Sequence, residues 1–351
     1  MGILMATIRD VARRAKVSVG TVSNVLSEVA TVNSELRTRV HDAMRALDFH
    51  PNHMARSLKS RRTYTLGMVI SDITNPFFPQ LVRGAEEAAL GHGYLLVTFN
   101  TDDKVERERR ALSILRARRM DGVLLVVSPG DGDISHLKQT VESGIPVVCL
   151  DRVAPGIPLD TVLVDNVKGA QVAVRHLIRE GHRQVAIMTG DLALQNARER
   201  LRGYEAALEE SGIKADPGMV VVGDFREESA YRLAKDMLLW RRRPTALFVS
   251  SCVMALGVLH AMNELGLRCP EDVALASFDD LPGGAAFRPQ VTSVAQPAFE
   301  IGFRGAELLI DRIEGRLTNK RKQTVVLEPE LKIRESSTGR AAFPHRSPAR
   351  G

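Results

Sequence analysis

From Thr65 onward the chain alternates short apolar runs with amphipathic helical stretches, and that alternation leaves few folds open to it. Strand-like runs fall at 66–70, 94–99, 122–127, 146–150, 185–188, 219–222, 246–249 and 273–278. Between them the helical apolar period predicts helices at 79–90, 106–118, 169–179, 198–210, 229–240 and 253–265. Most of these end near a glycine: Gly91, Gly144, Gly181, Gly212 or Gly266. Repeated βαβ units demand parallel sheets with helices on both faces. So many strands predict two sheets rather than one, with the chain crossing between lobes near 160–165 and returning near 289–297. Two open parallel sheets facing each other place a ligand at their strand C-termini, in the cleft.

Residues 6–26 follow a different pattern. Thr7 can cap a helix over 8–15 and Ser18 a second over 19–26, with a tight turn around Lys16 and Val17. Asn33 or Ser34 caps a third, whose Leu36, Val40, Ala43, Met44 and Leu47 form one apolar stripe. Ile8, Val11, Ala12, Val22 and Val25 supply its counterpart. This is a helix-turn-helix, which presents the start of its second helix to the DNA major groove. Lys16 stands where such turns usually carry Gly or Asn, and a left-handed conformation costs lysine about 1–2 kcal/mol. Charge is concentrated here too. Residues 1–63 hold eleven Arg and Lys against five Asp and Glu, an excess of six that equals the net charge of the whole chain. A basic module on a neutral body matches phosphate attraction confined to one end. Pro51 then breaks the chain, and the segment 52–59 before Arg61-Arg62 has room for about two helical turns. That is shorter than the ~12–15 residues an isolated helix needs in water, so it is expected to fold only when something pins it.

Other function classes find little support. Cys149, Cys252 and Cys269 lack metal-ligand spacing, and an odd, sparse set points to a reducing cytoplasm without disulfides. No charged-then-apolar leader precedes the first helix, and no apolar run approaches the ~20 residues of a membrane span. Met5 is an alternative start to Met1. There is no G-x-G-x-x-G after a strand, no phosphate loop and no G-x-S-x-G, so no catalytic residue, cofactor or metal is assigned and an enzyme is not expected. Gly130-Asp131-Gly132-Asp133 reads as a loop, and the arginine-rich run 107–119 as a solvated helix face or part of a dimer surface. A stand-alone sugar-binding protein would share the two lobes but would lack the basic head.

The motifs together carry a resemblance. Thr7-Ile8-Arg9-Asp10-Val11-Ala12, Val17-Ser18 with Thr21-Val22-Ser23, Pro51-Asn52 with Ala55-Arg56-Ser57-Leu58, Asn75-Pro76-Phe77-Phe78, Gly181-His182-Arg183 and Met254-Ala255-Leu256-Gly257 resemble the LacI/GalR (lactose/purine repressor) family of bacterial transcription regulators. The resemblance covers nearly the whole chain up to about residue 338. It implies an α/β two-lobed periplasmic-binding-protein-like core, of two parallel doubly wound sheets, with an N-terminal all-α helix-turn-helix domain. The expected division is a DNA-binding domain at 6–50, a hinge helix or linker at 51–63, an effector-binding and dimerisation domain at 64–337, and a disordered tail at 338–351. Within the core the first lobe is expected over 64–162 plus 291–322, and the second over 163–290 plus 323–337.

For the head, the resemblance implies that Val19, Gly20 and Asn24 face base edges. Asn can bond adenine bidentately, which is worth about 1–3 kcal/mol of discrimination, or it can contact phosphate. Thr7, Ser18, Thr21, Ser23 and Asn33 are expected at backbone phosphates. Asn52, Ala55, Arg56 and Leu58 belong to the implied hinge helix, with Leu58 matching the leucine that wedges into a base step. Two-fold symmetry implies a homodimer on a pseudo-palindromic operator, without a tetramerising coiled coil in the tail.

For the core, Asn75, Phe77, Phe78, Asp151, Arg152, Arg200, Phe225, Asp279 and Gln296 resemble the set that holds ribose in sugar-binding relatives, all at expected strand C-termini. Aromatic rings cover sugar faces while charged and amide groups pair the hydroxyls. Phe77 and Phe78 can also be core, Asp279 or Asp280 a helix cap, and Asp151-Arg152 an ion pair bridging the lobes. Ser251, with Cys252, stands where the family commonly has Asn-Asp, so a smaller or less hydroxylated effector is open. The implied function is a repressor released from DNA by a small sugar-like effector, or one that needs its ligand as corepressor.

Overall fold

A computed structural model describes residues 6–26, 32–49, 62–130, 132–281, 283–286, 288–317 and 321–338. The chain forms two compact units, Met1–Thr63 and Tyr64–Gly351.

The first unit holds α1 (Ile8–Ala15), α2 (Val19–Leu26) and α3 (Ser34–Ala46). Helix α1 starts in a capping box: the Thr7 N–H donates to Asp10 Oδ2 at 2.9 Å, and Thr7 Oγ1 accepts the Asp10 N–H. It ends at Lys16, whose φ of 54° and ψ of 49° are left-handed, the conformation that the tight turn requires. Part of that strain is offset by Arg39 of α3, whose Nη2 donates to Ala15 O at 2.6 Å and Lys16 O at 3.2 Å, closing the helix's free carbonyls. Val11, Val22 and Val40 are fully buried at the centre, with Ala12, Ala15, Val25 and Ala43 around them. At about 25 cal/mol per Å² of buried apolar surface, this small cluster is what holds three short helices together.

In the second unit, the first sheet contains β1 (Thr65–Ile70), β2 (Leu95–Asn100), β3 (Gly122–Leu125), β4 (Val147–Leu150), β5 (Asp160–Val164) and β11 (Thr324–Leu327). Its order is β11-β5-β4-β3-β1-β2, every pair parallel. The second contains β6 (Val185–Thr189), β7 (Val220–Val222), β8 (Ala246–Val249), β9 (Ala274–Phe278), β10 (Thr292–Ala295) and β12 (Glu330–Lys332), in the order β12-β10-β9-β8-β6-β7. Here β12 alone runs antiparallel, against β10. Connecting helices are α4 (Phe77–Gly91), α5 (Val105–Ala117), α6 (Ser135–Glu142), α7 (Asn166–Arg179), α8 (Gln195–Glu210), α9 (Glu227–Leu238), α10 (Cys252–Glu264) and α11 (Ala298–Glu314). The central strands are buried along their length, as continuous apolar runs between two helix layers must be. Helices α4 and α11 cross at glycines: a Cβ on Gly84 would stand 1.9 Å from Phe299 O, and one on Gly302 1.9 Å from Leu81 O. All three cysteines are free.

The lobe boundaries differ from the sequence expectation. Strand β5 runs to Val164 inside the first sheet, so the first crossover follows 164 rather than 162. Residues 292–295 belong to the second sheet, where Thr292 pairs with Ala276, and not to the first lobe. Residues 324–327 return to the first sheet, where Thr324 pairs with Thr161, and not to the second lobe. The chain therefore crosses three times, the last between β11 and β12. These strands, at or next to a sheet edge, are three to five residues long, too short for periodicity to say which sheet they extend.

Candidate functional site

In the first unit, the start of α2 offers an open face. Val19, Gly20 and Asn24 are exposed, while Val22 and Val25 on the opposite side are buried. Ser18 Oγ accepts the Thr21 N–H at 3.0 Å and lies 2.9 Å from Thr21 Oγ1, so this pair caps the helix. Asn33 Oδ1 likewise accepts the Glu35 N–H at 2.8 Å at the start of α3. Thr7, Ser18 and Asn33, expected at phosphates, thus each sit at a helix N-terminus, where the helix dipole favours an anion. Ser23 is half-buried on α2. Asn52, Ala55, Arg56 and Leu58, with the hinge they define, lie outside the described residues, as does the expected tail beyond Thr338.

In the second unit, a cavity lies between the lobes. Asn75, Phe77, Phe78, Asp151, Arg152, Arg200, Phe225, Ser251, Asp279 and Gln296 all line it, so the ten expected effector residues meet at one place. The fold explains the convergence. Asn75 and the phenylalanines follow β1, Asp151-Arg152 follow β4, Phe225 follows β7, Ser251 β8, Asp279 β9 and Gln296 β10. Arg200 lies one turn into α8, behind β6.

The electrostatic centre is Arg200, only 2% exposed. Its Nε donates to Asn166 Oδ1 at 2.9 Å and its Nη1 to Ser250 O at 2.6 Å, and the guanidinium lies 3.7 Å from the Phe278 ring centroid. Burial pulls its pKa below the ordinary arginine value, opposed by the carboxylates of Asp279 and Asp151. Burial in turn raises the pKa of both acids, opposed chiefly by Arg152 and then Arg200 at Asp151, and by Arg200 at Asp279. Asp151 Oδ2 accepts from Asn196 Nδ2 of the opposite lobe at 3.2 Å, and Gln296 Nε2 donates to Asp279 Oδ1. Arg152 Nη1 donates to Asp103 Oδ1 at 2.6 Å and to Val127 O at 3.0 Å. Burial pushes Asp103 up, yet the Arg152 guanidinium beside it holds it below the usual carboxylate value.

Two buried acceptors of the lining, Asp151 Oδ1 and Gln296 Oε1, receive no hydrogen bond from the protein, and Arg152 Nε has only a 3.6 Å ion pair with Asp151 Oδ2. Each such atom left unpaired costs about 1–3 kcal/mol, so water or a bound molecule is expected to pair it. Asp151, Phe225 and Asp279 also adopt positive φ, at 62°, 63° and 67°, a conformation that costs non-glycine residues about 1–3 kcal/mol and clusters at functional sites. Phe225 turns its ring over Gly190, where a Cβ would come within 2.1 Å of it.

The open alternatives resolve by partner. Phe77 and Phe78, with ring centroids 5.1 Å apart and edge-on, belong to the hydrophobic core and line the cavity as well. Asp279 accepts from Gln296, whereas Asp280 is an anchor, paired with Arg334 at 2.7 Å and Lys332 at 3.0 Å. Arg152 pairs within its own lobe, and it is Asp151 that reaches across. Ser251 caps α10, accepting the Val253 N–H at 3.2 Å. The sequence reading missed Asp72, Asp103, Asn196, Asp224 and Arg226. Asn196 lies one helical turn before Arg200, a spacing that signals a shared face. Arg226 crosses the cleft to Asp72 Oδ2 at 3.0 Å and to Asp102 O at 3.3 Å. Among the described residues, no group of three His, Cys, Asp or Glu side chains can hold a metal, and no helix is long and apolar enough to cross a membrane.

Two family models match the chain: bacterial regulatory proteins of the lacI family over residues 7–52, and the periplasmic binding protein-like domain over residues 174–337. The HTH-type transcriptional repressor PurR of Photobacterium profundum is 34% identical over 333 residues, 95% of this chain and 98% of that protein. The ribose operon repressor of Halalkalibacterium halodurans is 35% identical over 336 residues, 95% of this chain and 98% of that protein. A solved structure of the lac repressor dimer bound to operator and the anti-inducer ONPF superposes with a TM-score of 0.82 at 27% identity, over 95% of this chain and 99% of that one.

Proposed function

Because the chain belongs to the LacI family of bacterial transcriptional regulators, we propose that it is a repressor whose effector is an unphosphorylated sugar of the ribose class. It is a DNA-binding regulator and not an enzyme. The observation that carries the sugar assignment is the cleft itself: three phenylalanines beside Asp151 Oδ1 and Gln296 Oε1, two buried acceptors with no hydrogen-bond donor in the protein. Ring faces pack on phenyl rings, and ring hydroxyls supply the missing donors. The lining holds Asp72, Asp103, Asp151, Asp224 and Asp279 against Arg152, Arg200 and Arg226, an excess of acid that disfavours a phosphate.

The effector acts by fixing one arrangement of the lobes. A sugar bonded to Asp151 of the first lobe and Arg200 of the second favours the arrangement in which both reach it. Coupling of about 1–3 kcal/mol between that arrangement and the hinge ahead of Thr63 shifts operator affinity roughly five- to 150-fold. The sign is induction: ligand releases DNA. Val19 and Asn24 read base edges, and the helix starts at Thr7, Ser18 and Asn33 take phosphates. The protein works in the cytoplasm as a homodimer, through the sheet edges β2 and β7, where Leu95, Val97 and Val222 are exposed.

The test has two arms. Titration calorimetry with ribose should give a saturable isotherm, and a mobility shift on a duplex selected from random sequence should weaken as ribose is added. Tighter DNA binding with ribose would reverse the sign to corepression. No heat from ribose, with heat from a purine base, would remove the sugar assignment.

A further inference from the structure

The arginines of the cleft stand at different depths. Arg152 and Arg200 are buried, whereas Arg226 lines the same cavity with a side chain 42% exposed, so its guanidinium sits at the rim. From the second lobe it spans to the first, donating from Nη1 to Asp72 Oδ2 at 3.0 Å and from Nη2 to Asp102 O at 3.3 Å.

Both ends of this bridge are shaped by their own lobes. On the first lobe, Asp72 Oδ1 accepts the Thr74 N–H at 3.0 Å and the Thr74 hydroxyl at 2.6 Å, which leaves Oδ2 for Arg226. Asn100 Oδ1 accepts the Ile73 N–H at 2.7 Å, and the Asp102 N–H donates to Ser71 O at 2.6 Å, so the loops after β1 and β2 form one acceptor edge. The Asp102 carboxylate is engaged by Asn100 and Arg107, and its backbone carbonyl is the group that meets Arg226. On the second lobe, Asp224 Oδ1 accepts the Arg226 N–H at 3.0 Å and the Ser229 hydroxyl, fixing the turn that leads into α9. Phe225 is the middle of that turn, at a φ of 63°, with its ring packed over Gly190 in the cavity wall. One strained turn therefore carries a ring into the effector's space and a guanidinium to the opposite lobe. Whatever steadies the ring steadies the bridge, and the reverse holds as well.

We propose that Arg226 is a clasp, which closes the cleft over the effector and, in the empty protein, already favours the lobe arrangement that the effector selects. This rests on the reading of the cleft as an effector site coupled to DNA binding, and adds the residue that sets how far the unliganded protein stands toward the bound state. A contact made in only one of two arrangements shifts their populations as a ligand does. The pair is partly exposed, so the shift is modest, about two- to fivefold.

Full-length wild type, Arg226→Ala, Asp72→Asn and the double variant test it, by mobility shift on the selected duplex and by calorimetry with ribose. Asp72→Asn removes the charge and keeps an acceptor for Thr74. Without ligand, the operator affinity of Arg226→Ala should move about two- to fivefold in the direction opposite to the change that ribose causes in the wild type. Its ribose affinity should fall by a similar factor, and that loss should narrow at ~1 M salt, which screens exposed charge pairs. The double variant should differ little from Arg226→Ala, since both substitutions break one bridge. An unliganded operator affinity that stays put, or moves in the same direction as with ribose, overturns the clasp even where ribose binds more weakly, because a plain ligand contact acts only with ligand present. Additive losses in the double variant overturn it too. Ribose silent on the wild type removes the sugar reading and leaves the operator arm to decide: a shift common to both single variants and not enlarged in the double supports the clasp, and no shift sinks it.

Discussion

Replacing Arg200 with alanine should cost stability in a pH-dependent way, because of where its charge sits. The guanidinium is the buried counter-charge of Asp279 and a secondary one of Asp151, which are 6% and 4% exposed. Removing one partner of a buried charged group typically costs about 3–5 kcal/mol. For a unit of this size about 1.5–2 °C of melting temperature corresponds to each kcal/mol, giving a loss of roughly 5–10 °C near neutral pH. The sign with pH follows from the acids. Both have folded pKa values raised above the ordinary 3.8, chiefly by burial, so the folded state holds protons that the unfolded state has released. Their contribution to stability therefore falls as pH climbs from the ordinary carboxylate range through the folded values. Arg200 limits that fall, and its loss extends it. Differential scanning fluorimetry of wild type and Arg200→Ala from pH 5 to pH 8 should show a deficit that is small at the acid end and widens upward. Ribose should raise the melting point of the wild type alone. A deficit equal at both ends of the range would refute the assigned role of the charge.

Three other outcomes are expected. Leu58→Ala should weaken operator binding by an order of magnitude or more while calorimetry with ribose stays unchanged. Asn24→Ala should lose about 1–3 kcal/mol of discrimination at one base position with non-specific binding kept, measured by competition among single-base operator variants; a uniform loss on all sequences would reassign Asn24 to phosphate. Gly302→Val, which would drive a side chain into Leu81 O, should lower the melting point by at least several degrees and reduce soluble yield, with Gly91→Ala as the silent control.

The parts of this fold that were legible in the sequence are those with strong local signals. Thr7, Ser18 and Asn33 are caps whose side chains announce a helix start, and the two helices of the turn, 8–15 and 19–26, have the expected bounds. Asp151, Phe225, Ser251 and Asp279 were legible because each follows a strand that the apolar runs already marked, whereas Gln296 follows β10, which falls in the expected return crossover. The identity of the sheet that takes residues 292–295 or 324–327 was not legible, because it is decided by pairing with Ala276 and Thr161, more than a dozen residues away. Asp72 and Arg226 were missed for the same reason: nothing local to either tells that the other stands 3.0 Å away across the cleft.

The three passages between lobes have a mechanical consequence. A pair of bodies joined by a single tether can tumble freely, whereas three tethers at 164–166, 295–298 and 327–330 leave little beyond a shallow bend or twist. Work done by a ligand is then channelled into one coordinate instead of being dissipated over many. A nick in any one tether should leave the halves associated yet slacken that coordinate, so ligand would still be held while its message went undelivered.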